Sequence, residues 1–495
     1  MQQYSDHGDW ISLSTKQRCA VMAHVAADIA DTAQSLTSLS LNAQRVDPVE
    51  TISGELLPLC SALRFLQKHG PKVLRPRRLG VSGRPGWLWG VRSKVRRDPR
   101  GKVLILGTWN YPLLLSGVQT AQALAAGNLV LLKPAIGSES VTAAMVESFY
   151  RAGVPRESLQ QLDSSTESAI SAIDQGVDLI VLTGAAETGR KVLRQAAESM
   201  TPTIMELSGC DAVVVLPGAD LERTATSIAF GLNFNSGATC IGPRRIVAEA
   251  AEAETLSDLL RARFENLEPM EIHPAARRGL PDLIQRAIDS GANDVSHHFN
   301  RHELEATGRM LPLILSGVRP SDEIAATDIF APVTSLIQVA NIRDAVPIVN
   351  ECPYRLAASV FGPKRPAEQI GNQLRVGSVA INDLIVPTAD PRAPFGGRGQ
   401  SGFGVTRGAE GLLAMTVPTV LAERRGNFAP HLHSRKPTDA QTLLGALQLL
   451  HAGSLGKRWA GLRKMVSASS GRPVKTLDDS ARTNTNPTLE NEKKS

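Results

Sequence analysis

From residue 103 onward, short apolar runs alternate with segments of helical pattern that are about twelve residues long. The apolar runs span residues 103–106, 129–132, 178–182 and 203–207, and a second set starts at 212–216. Short buried strands separated by such helices are typical of βαβ units, which build parallel sheets. The alternation therefore predicts an α/β fold with two sheets, and nucleotide binding at the carboxyl ends of the strands.

The cysteines and the N-terminal residues indicate the cellular location of the protein. The five cysteines of the 495-residue chain are widely spaced, without the spacing of a metal site. This predicts a reducing compartment, no disulfide framework and no bound metal. The first residues lack a secretory signal pattern, and no apolar run reaches the roughly 18 residues of a membrane span. We therefore expect a cytoplasmic protein, and the modest net charge of +6 gives no reason to expect a nucleic-acid partner.

A strongly basic segment precedes the first of these strands. Between Lys68 and Lys102, twelve Lys and Arg residues occur with one acid, Asp98, and prolines and glycines interrupt any helix. One interpretation is a solvated connecting segment. The other is a site for an anionic surface or substrate.

Three residues have side chains suited to nucleophilic catalysis, and each has a structural alternative. Cys240 follows small, turn-forming residues, so its thiol is either a nucleophile or an inert buried group. Glu206 ends a predicted buried strand, either as a general base of raised pKa or as an acid exposed at the strand's end. Asn110 lies at a strand-to-helix turn, where its amide either stabilises an oxyanion or caps the helix.

Two further features suit a dinucleotide. Lys133 closes the second strand, where it either reaches ribose or phosphate oxygens or is a solvated charge. Residues 184–189 follow the third strand and open a helix, whose free N–H groups suit a pyrophosphate. Arg190 and Lys191 stand where a P-loop requires Lys and then Ser or Thr, which excludes an ATPase. No GxGxxG motif follows a strand in this region, so the usual Rossmann fingerprint is missing.

Taken in order, these segments resemble the aldehyde dehydrogenase superfamily over residues 103–421. The matching motifs lie at residues 107–112, 132–134, 183–184, 205–207, 235–240, 328–332 and 394–397. The Trp-Asn-Tyr-Pro turn and the short N-terminal region look most like the class 3 or fatty-aldehyde branch. The resemblance implies NAD(P)-dependent oxidation of an aldehyde to a carboxylic acid. The alternative is a cofactor-binding or scaffold member of the family with weakened or lost catalysis.

The resemblance also implies roles for individual residues. Cys240 would form a thiohemiacetal and then a thioester, Asn110 would lie in the oxyanion hole, and Glu206 would be the base for deacylation. NAD or NADP would be held by Thr108, Trp109, Lys133, Thr183, Gly184, Gly189, Leu207, Asp328 and Phe330. An apolar entrance for the aldehyde would be lined by Trp109, Tyr111 and Phe234.

A domain order follows from the same resemblance. A Rossmann-like cofactor domain would span residues 1–207, interrupted near 88–101 by bridging strands, and a second α/β domain, the catalytic one, would span 208–404. A bridging and oligomerisation strand at 405–424 leads us to expect a homodimer or tetramer through edge pairing.

The remaining residues form the C-terminal part of the chain. We expect a helical extension over 425–468 and a disordered polar tail over 469–495. In the extension, Leu455, Trp459, Leu462 and Val466 fall on one helix face that basic residues flank. Such a helix either packs on its own protein or makes weak contact with an anionic membrane surface.

Several positions depart from the family pattern. Ile136 replaces a Glu that holds the adenosine ribose, so we expect NADP to be tolerated. Asp328 is one methylene shorter than the usual Glu, which weakens or lengthens its contact with the nicotinamide ribose. Ser208, Cys210 and Ala238 replace the usual Gly, Lys and Gln beside the site. Together these changes raise the question of how active the site is.

Overall fold

The strands account for both sheets that the alternating pattern predicts. The computed structural model describes residues 10–470. Its strands are β1 Arg77–Leu79, β2 Val91–Pro99, β3 Lys102–Leu106, β4 Leu129–Lys133, β5 Leu159–Gln161, β6 Leu179–Gly184, β7 Thr203–Leu207, β8 Asp211–Val215, β9 Pro243–Ala248, β10 Met270–Glu271, β11 Asn293–Asp294, β12 Arg309–Met310, β13 Leu313–Ser316, β14 Val333–Gln338, β15 Tyr354–Arg355, β16 Ala357–Phe361, β17 Ser378–Ile381, β18 Arg398–Gly399, β19 Gly402–Phe403 and β20 Thr416–Arg424.

Helices connect most of these strands. The α-helices are α1 Thr15–Asp31, α2 Ala33–Ser40, α3 Pro48–Thr51, α4 Leu57–Val73, α5 Leu114–Ala126, α6 Glu139–Arg151, α7 Thr166–Asp174, α8 Ala186–Glu198, α9 Leu221–Asn233, α10 Ala250–Phe264, α11 Pro274–Arg277, α12 Leu280–Asp289, α13 Arg301–Thr307, α14 Ala345–Glu351, α15 Lys364–Gly371, α16 Gly408–Ala414, α17 Asp439–His451 and α18 Leu455–Ser469.

The first large sheet has six strands in the order β19-β7-β6-β3-β4-β5. Strands β3 to β7 are parallel, and β19 joins the edge antiparallel, with Gly402 opposite Glu206. Because parallel strands share one carboxyl edge, the loops after β3, β6 and β7 lie together at that edge. The short edge strand β5 was missed by the sequence pattern, since Leu-Gln-Gln has neither an apolar run nor a clear alternation.

The second large sheet has seven strands in the order β11-β13-β14-β9-β8-β16-β17. All of its pairs are parallel except β11 with β13. The two sheets confirm the predicted α/β fold with parallel strands. Strands β7 and β8 are consecutive but lie in different sheets, and the exact domain limits stay a prediction.

Helix α5 is buried at every position, and most of its residues are apolar or small. It ends at Gly127, whose φ of 100° is a left-handed conformation that suits glycine at a helix C-terminus. The helix follows the turn that contains Asn110, so its rigid packing fixes the position of that turn.

Residues 79–93 and 422–470 form a compact unit separate from residues 10–78 and 94–421. In it, α17 and α18 pack on each other with close contact between Gly445 and Gly461. A Cβ on Gly445 would lie 2.6 Å from the Gly461 carbonyl oxygen. Helix α18 ends at Ser469, the first residue of the predicted tail, and residues 471–495 lie outside the described part, so the disordered tail stays a prediction. Among residues 10–470, we find no helix with both the length and the apolar character needed to cross a membrane.

Candidate active site

Cys240 lies just after a short segment of unusual backbone. Helix α9 ends before Phe234, and Asn235, Ser236 and Gly237 all have positive φ, at 54°, 51° and 73°. Left-handed residues other than glycine are uncommon, so neighbouring groups must hold this loop in place. A Cβ on Gly237 would lie 2.6 Å from the carbonyl carbon of Ala331, so only glycine fits there.

Two buried arginines hold the nucleophile loop. Arg244 donates hydrogen bonds from its guanidinium to the carbonyl oxygens of Gly237 and Thr239. Arg45 Nε donates to Asn235 Oδ1 over 3.2 Å, and its charge is balanced by an ion pair with buried Glu55. These long-range contacts keep the thiol of Cys240 in one place.

The half-buried Cys240 lies where two cavities meet. One, the strand-end cavity, has a volume of about 260 Å³ and lies at the carboxyl edge of the first sheet. The other, the apolar cavity, has a volume of about 350 Å³ and is lined mainly by aromatic and aliphatic side chains. Cys240, Leu115 and Phe395 line both. A group bound in either cavity can therefore approach the sulfur from its own side.

Asn110 is fixed in the turn between β3 and α5. Its Oδ1 accepts a hydrogen bond from Thr108 Oγ1 over 2.7 Å, and its Nδ2 donates to the carbonyl oxygen of Ala238 over 2.9 Å. The hydroxyl donor at Oδ1 sets which end of the amide points to the nucleophile loop. Asn110 lines the strand-end cavity, so its amide reaches the same space as the thiol.

Glu206 is buried, with 4% of its surface exposed, which excludes the alternative of an acid open to solvent. Its Oε2 accepts hydrogen bonds from Gln119 Nε2 at 3.1 Å and Thr183 Oγ1 at 3.5 Å, and its Oε1 accepts one from Thr406 Oγ1. Burial raises the pKa of Glu206, while the hydrogen bond from Thr406 and the charge of Arg407 oppose that rise. A carboxyl of raised pKa suits a general base.

Burial of Cys240 favours the protonated form of its thiol. Burial raises its pKa to about 12, the charges of Asp211 and Glu206 add to that effect, and Arg407 opposes it. Because the thiolate is the reactive form, attack requires loss of this proton.

Most of the predicted cofactor residues share one location. The strand-end cavity is lined by Thr108, Trp109, Thr183, Gly184, Leu207, Asp328 and Phe330. Lys133 and Gly189 are not among the residues that line it. Lys133 ends β4, whereas Gly189 lies in α8, where a Cβ would come within 2.9 Å of the Leu207 side chain.

Of the three aromatic residues expected around the aldehyde entrance, two line the apolar cavity. Tyr111 and Phe234 are among its lining residues, and the Tyr111 hydroxyl hydrogen-bonds Thr239 Oγ1 at 2.6 Å. Trp109 is not among the residues that line it, so its place at the aldehyde entrance stays a prediction. Its ring instead stacks on His273 with 3.9 Å between centroids, on the wall of the strand-end cavity.

Sequence reasoning missed the residues that position these groups. Gln119 and Thr406 bind Glu206, while Arg45 and Glu55 hold the turn at Asn110 and the start of α5. The sequence feature that could have identified them is a polar side chain within an apolar run, as at Gln119 in α5. Their partners lie far away in the chain, so no short motif contains both members of a pair.

Comparisons with known proteins show the family to which the chain belongs. The aldehyde dehydrogenase family model matches residues 3–420. A 4,4'-diapolycopene aldehyde oxidase of Methylomonas is 30% identical over 429 residues, covering 83% of this chain and 78% of that protein. An aldehyde dehydrogenase of Mycobacterium tuberculosis, solved with NAD+, has a TM-score of 0.76 and 27% identity, covering 84% of this chain and 87% of that one.

A second structure extends the comparison to the other nucleotide. The NADP-dependent glyceraldehyde-3-phosphate dehydrogenase of Bacillus halodurans, solved with NADP, has a TM-score of 0.76 and 27% identity, covering 84% of this chain and 88% of that one. The predicted enzyme class and nucleotide cofactor are confirmed. The chain therefore belongs to the aldehyde dehydrogenase family and is an enzyme that oxidises an aldehyde with NAD or NADP.

Proposed function

We propose that Cys240 is the nucleophile, Asn110 the oxyanion donor and Glu206 the general base of this oxidation. The observation that carries the proposal is that all three line the strand-end cavity. They come from positions far apart in the chain, after β3, in β7 and after α9. A cavity that joins an amide, a carboxyl and a thiol matches what covalent aldehyde oxidation requires.

The first chemical step is loss of the Cys240 thiol proton to solvent, followed by attack of the thiolate on the carbonyl carbon. A carbon–sulfur bond forms, and the carbonyl oxygen becomes an oxyanion. The side-chain amide of Asn110 and the backbone N–H of Cys240 donate hydrogen bonds to that oxygen. One such donor typically contributes about 3–4 kcal/mol. Covalent capture also holds the reacting carbon in a fixed place beside the strand-end cavity.

Deacylation is the second task of the protein. Loss of a hydride converts the thiohemiacetal into a thioester on Cys240. Glu206 then takes a proton from a water molecule, whose oxygen attacks the thioester carbon. The carbon–sulfur bond breaks, the carboxylic acid leaves, and the thiolate is restored.

The strand-end cavity fits a dinucleotide. Asp328 Oδ2 accepts a hydrogen bond from Ser208 Oγ, while Oδ1 is buried and has no hydrogen-bond partner among residues 10–470. A ribose hydroxyl is a suitable donor to that oxygen. Thr183 and Gly184 end β6 just before α8, whose N-terminal N–H groups suit a pyrophosphate. When bound, NAD or NADP supplies the hydride acceptor.

The side chain at position 136 leads to a prediction about the preference of the enzyme for NAD or NADP. Ile136 follows β4 and is 71% exposed, and it places no carboxylate near a 2′-phosphate. We expect kcat/KM with NADP to be within about a hundredfold of that with NAD, a gap under about 3 kcal/mol. Ile136→Glu should shift the ratio toward NAD by repelling the phosphate, and exposed Ile170→Glu is the control. A wild-type preference for NAD above a hundredfold contradicts the idea.

The apolar cavity points to an aldehyde with an aliphatic or aromatic body. Its lining includes Tyr111, Phe230, Phe234 and Ile241. Measuring nucleotide reduction across aldehydes of different length and charge tests this substrate class. The relatives of the chain are varied aldehyde dehydrogenases and oxidases, so the class 3 or fatty-aldehyde branch receives no support and stays a prediction.

Oligomeric state and location are further parts of the proposal. Strand β20 is at the edge of a three-stranded sheet in the order β1-β2-β20, and it exposes Val417, Val420 and Leu421. An exposed edge strand can pair with that of a second copy, which supports a homodimer or tetramer. The free cysteines at Cys19, Cys60, Cys210, Cys240 and Cys352 support a reducing, cytoplasmic location.

We also propose weak contact between helices α17 and α18 and an anionic membrane surface. Leu455, Trp459 and Val466 of α18 are 75%, 61% and 60% exposed and fall on one face. Residues 79–93 and 422–470 carry ten Lys and Arg against two Asp and Glu, a net charge of +8, whereas the whole chain carries +6. An apolar face surrounded by positive charge suits anionic headgroups.

Vesicle sedimentation tests this contact. The full chain should sediment with vesicles containing phosphatidylglycerol more than with pure phosphatidylcholine, and added salt should weaken binding. Replacing both Leu455 and Trp459 by serine should reduce binding, whereas Ala460→Ser, off the apolar face, is the matched control. Equal binding to both vesicle types, or no loss in the double variant, contradicts the contact.

A further inference from the structure

Arg407 is the charged residue in the lining of the mainly apolar cavity. The residue is 9% exposed and lies just before α16 with a φ of 60°, a left-handed conformation uncommon for arginine. Its backbone N–H donates to Gln122 Oε1 over 3.2 Å, which helps to hold that conformation. The backbone of Arg407 is therefore held in place next to the apolar cavity.

The guanidinium is only partly engaged by protein groups. Nη1 donates to the carbonyl oxygen of Thr388 over 2.6 Å, and the group lies 4.8 Å from the Phe395 ring centroid. Among residues 10–470, no carboxylate lies within ion-pair distance of it. An arginine has five N–H donors, so this one retains several for a ligand.

Other buried arginines of the same region are differently placed. Arg45 pairs with Glu55, and Arg244 donates to three backbone carbonyl oxygens. Both use their charge and donors to hold the nucleophile loop. Arg407 has one carbonyl partner, one aromatic ring contact and the charge of Glu206 nearby, but no ion pair, although burying a charge that is not paired is costly. Its placement is explained if a partner arrives with a ligand.

The cavity that Arg407 lines indicates which ligand would bring a partner for its guanidinium. Arg407 and Cys240 both line the apolar cavity, whereas Arg407 is not among the residues that line the strand-end cavity. The dinucleotide would occupy the strand-end cavity, so an anion that reaches Arg407 enters with the aldehyde. A guanidinium matches the planar shape and charge of a carboxylate.

We propose that Arg407 forms a carboxylate subsite, so that the preferred substrate is an aldehyde with an apolar body and a carboxylate at its far end. This proposal rests on the proposed function, in which Cys240 receives the aldehyde carbon. The apolar lining contacts the body, and the guanidinium sets a fixed distance between the carboxylate and the reacting carbon. The subsite therefore selects both charge and chain length.

A matched set of substrates tests the subsite in the wild-type enzyme. Straight-chain aldehydes with a terminal carboxylate are compared with their methyl esters, which have nearly the same length but no charge. We expect the carboxylate to have the higher kcat/KM at one chain length, by at least about tenfold. If the ester equals or exceeds the acid at every length, the proposal is wrong. If no aldehyde of either kind is oxidised, the proposed function itself fails.

Variants then assign the preference to residue 407. Arg407→Met keeps an apolar stem against Phe395, and it should reduce the acid-to-ester ratio of kcat/KM about tenfold or more. Arg407→Lys should restore part of the ratio, and Arg392→Met, at an exposed ion pair with Asp390, should leave it unchanged. If Arg407→Met lowers both substrates equally, the guanidinium acts on Glu206 and Cys240 or on folding, which overturns the subsite.

Discussion

Replacing Cys240 by alanine should lower the rate of aldehyde oxidation by about four orders of magnitude, which corresponds to about 5 kcal/mol of lost transition-state stabilisation. Without the sulfur, no thiohemiacetal forms, so the burst of reduced nucleotide in the first turnover should disappear as well. The loss should be this large because Asn110 and Glu206 act only on species that are attached to Cys240. Stopped-flow absorbance of the reduced nucleotide measures both quantities.

The chain offers a matched control for this substitution. Cys60 is also half-buried, but it lies in α4 and lines neither cavity. Cys60→Ala should keep both the burst and the steady-state rate. Unchanged turnover in Cys240→Ala would remove the covalent mechanism and return the chain to the scaffold alternative.

Replacing Glu206 by glutamine should separate the two halves of the reaction. The amide keeps the shape of the carboxyl and can still accept a hydrogen bond from Thr406, but it cannot take a proton from water. We expect the burst to persist while the steady-state rate falls by about a hundredfold to ten-thousandfold. Quenched-flow measurement of the acylated enzyme should show that the thioester accumulates.

The pH dependence gives the same test a second readout. Because burial raises the pKa of Glu206, the unprotonated base forms only as the pH rises through a value above the usual one for glutamate. Steady-state turnover limited by deacylation should therefore rise with pH over that range, and Glu206→Gln should lose this dependence. Glu187→Gln, at an exposed ion pair on α8, is the control. Loss of the burst in Glu206→Gln would mean that the carboxyl acts before hydride transfer.

The positioning contacts explain how the site could be active despite its departures from the family pattern. Ser208 hydrogen-bonds Asp328, and the carbonyl oxygen of Ala238 binds the amide of Asn110. Cys210 is buried and lies outside both cavities, with its Sγ 3.4 Å from the Ala325 carbonyl oxygen. Ser208 and Ala238, which depart from the family pattern, therefore take part in the hydrogen bonding of the site.

The amino-acid sequence by itself determined the main strands of the first sheet and the order of the motifs, and it singled out the three side chains of the proposed mechanism. The runs at 103–106 and 203–207 are short and apolar. Such a run is a local signal for a buried strand, and the structure has β3 and β7 at these positions. The end of α5 at Gly127 could also be predicted locally, because glycine readily adopts the left-handed conformation at a helix C-terminus.

The tertiary structure decided which groups surround those side chains. Thr406 lies 200 residues from Glu206 in the chain, and Ala238 lies 128 residues from Asn110, yet both pairs are hydrogen-bonded. A polar side chain that becomes buried on folding must form a hydrogen bond with whatever group the packing brings near it. The spacing of apolar residues along the sequence does not reveal that partner. For the same reason, the presence of Arg407 and Cys240 in the walls of one cavity became visible only in the tertiary structure.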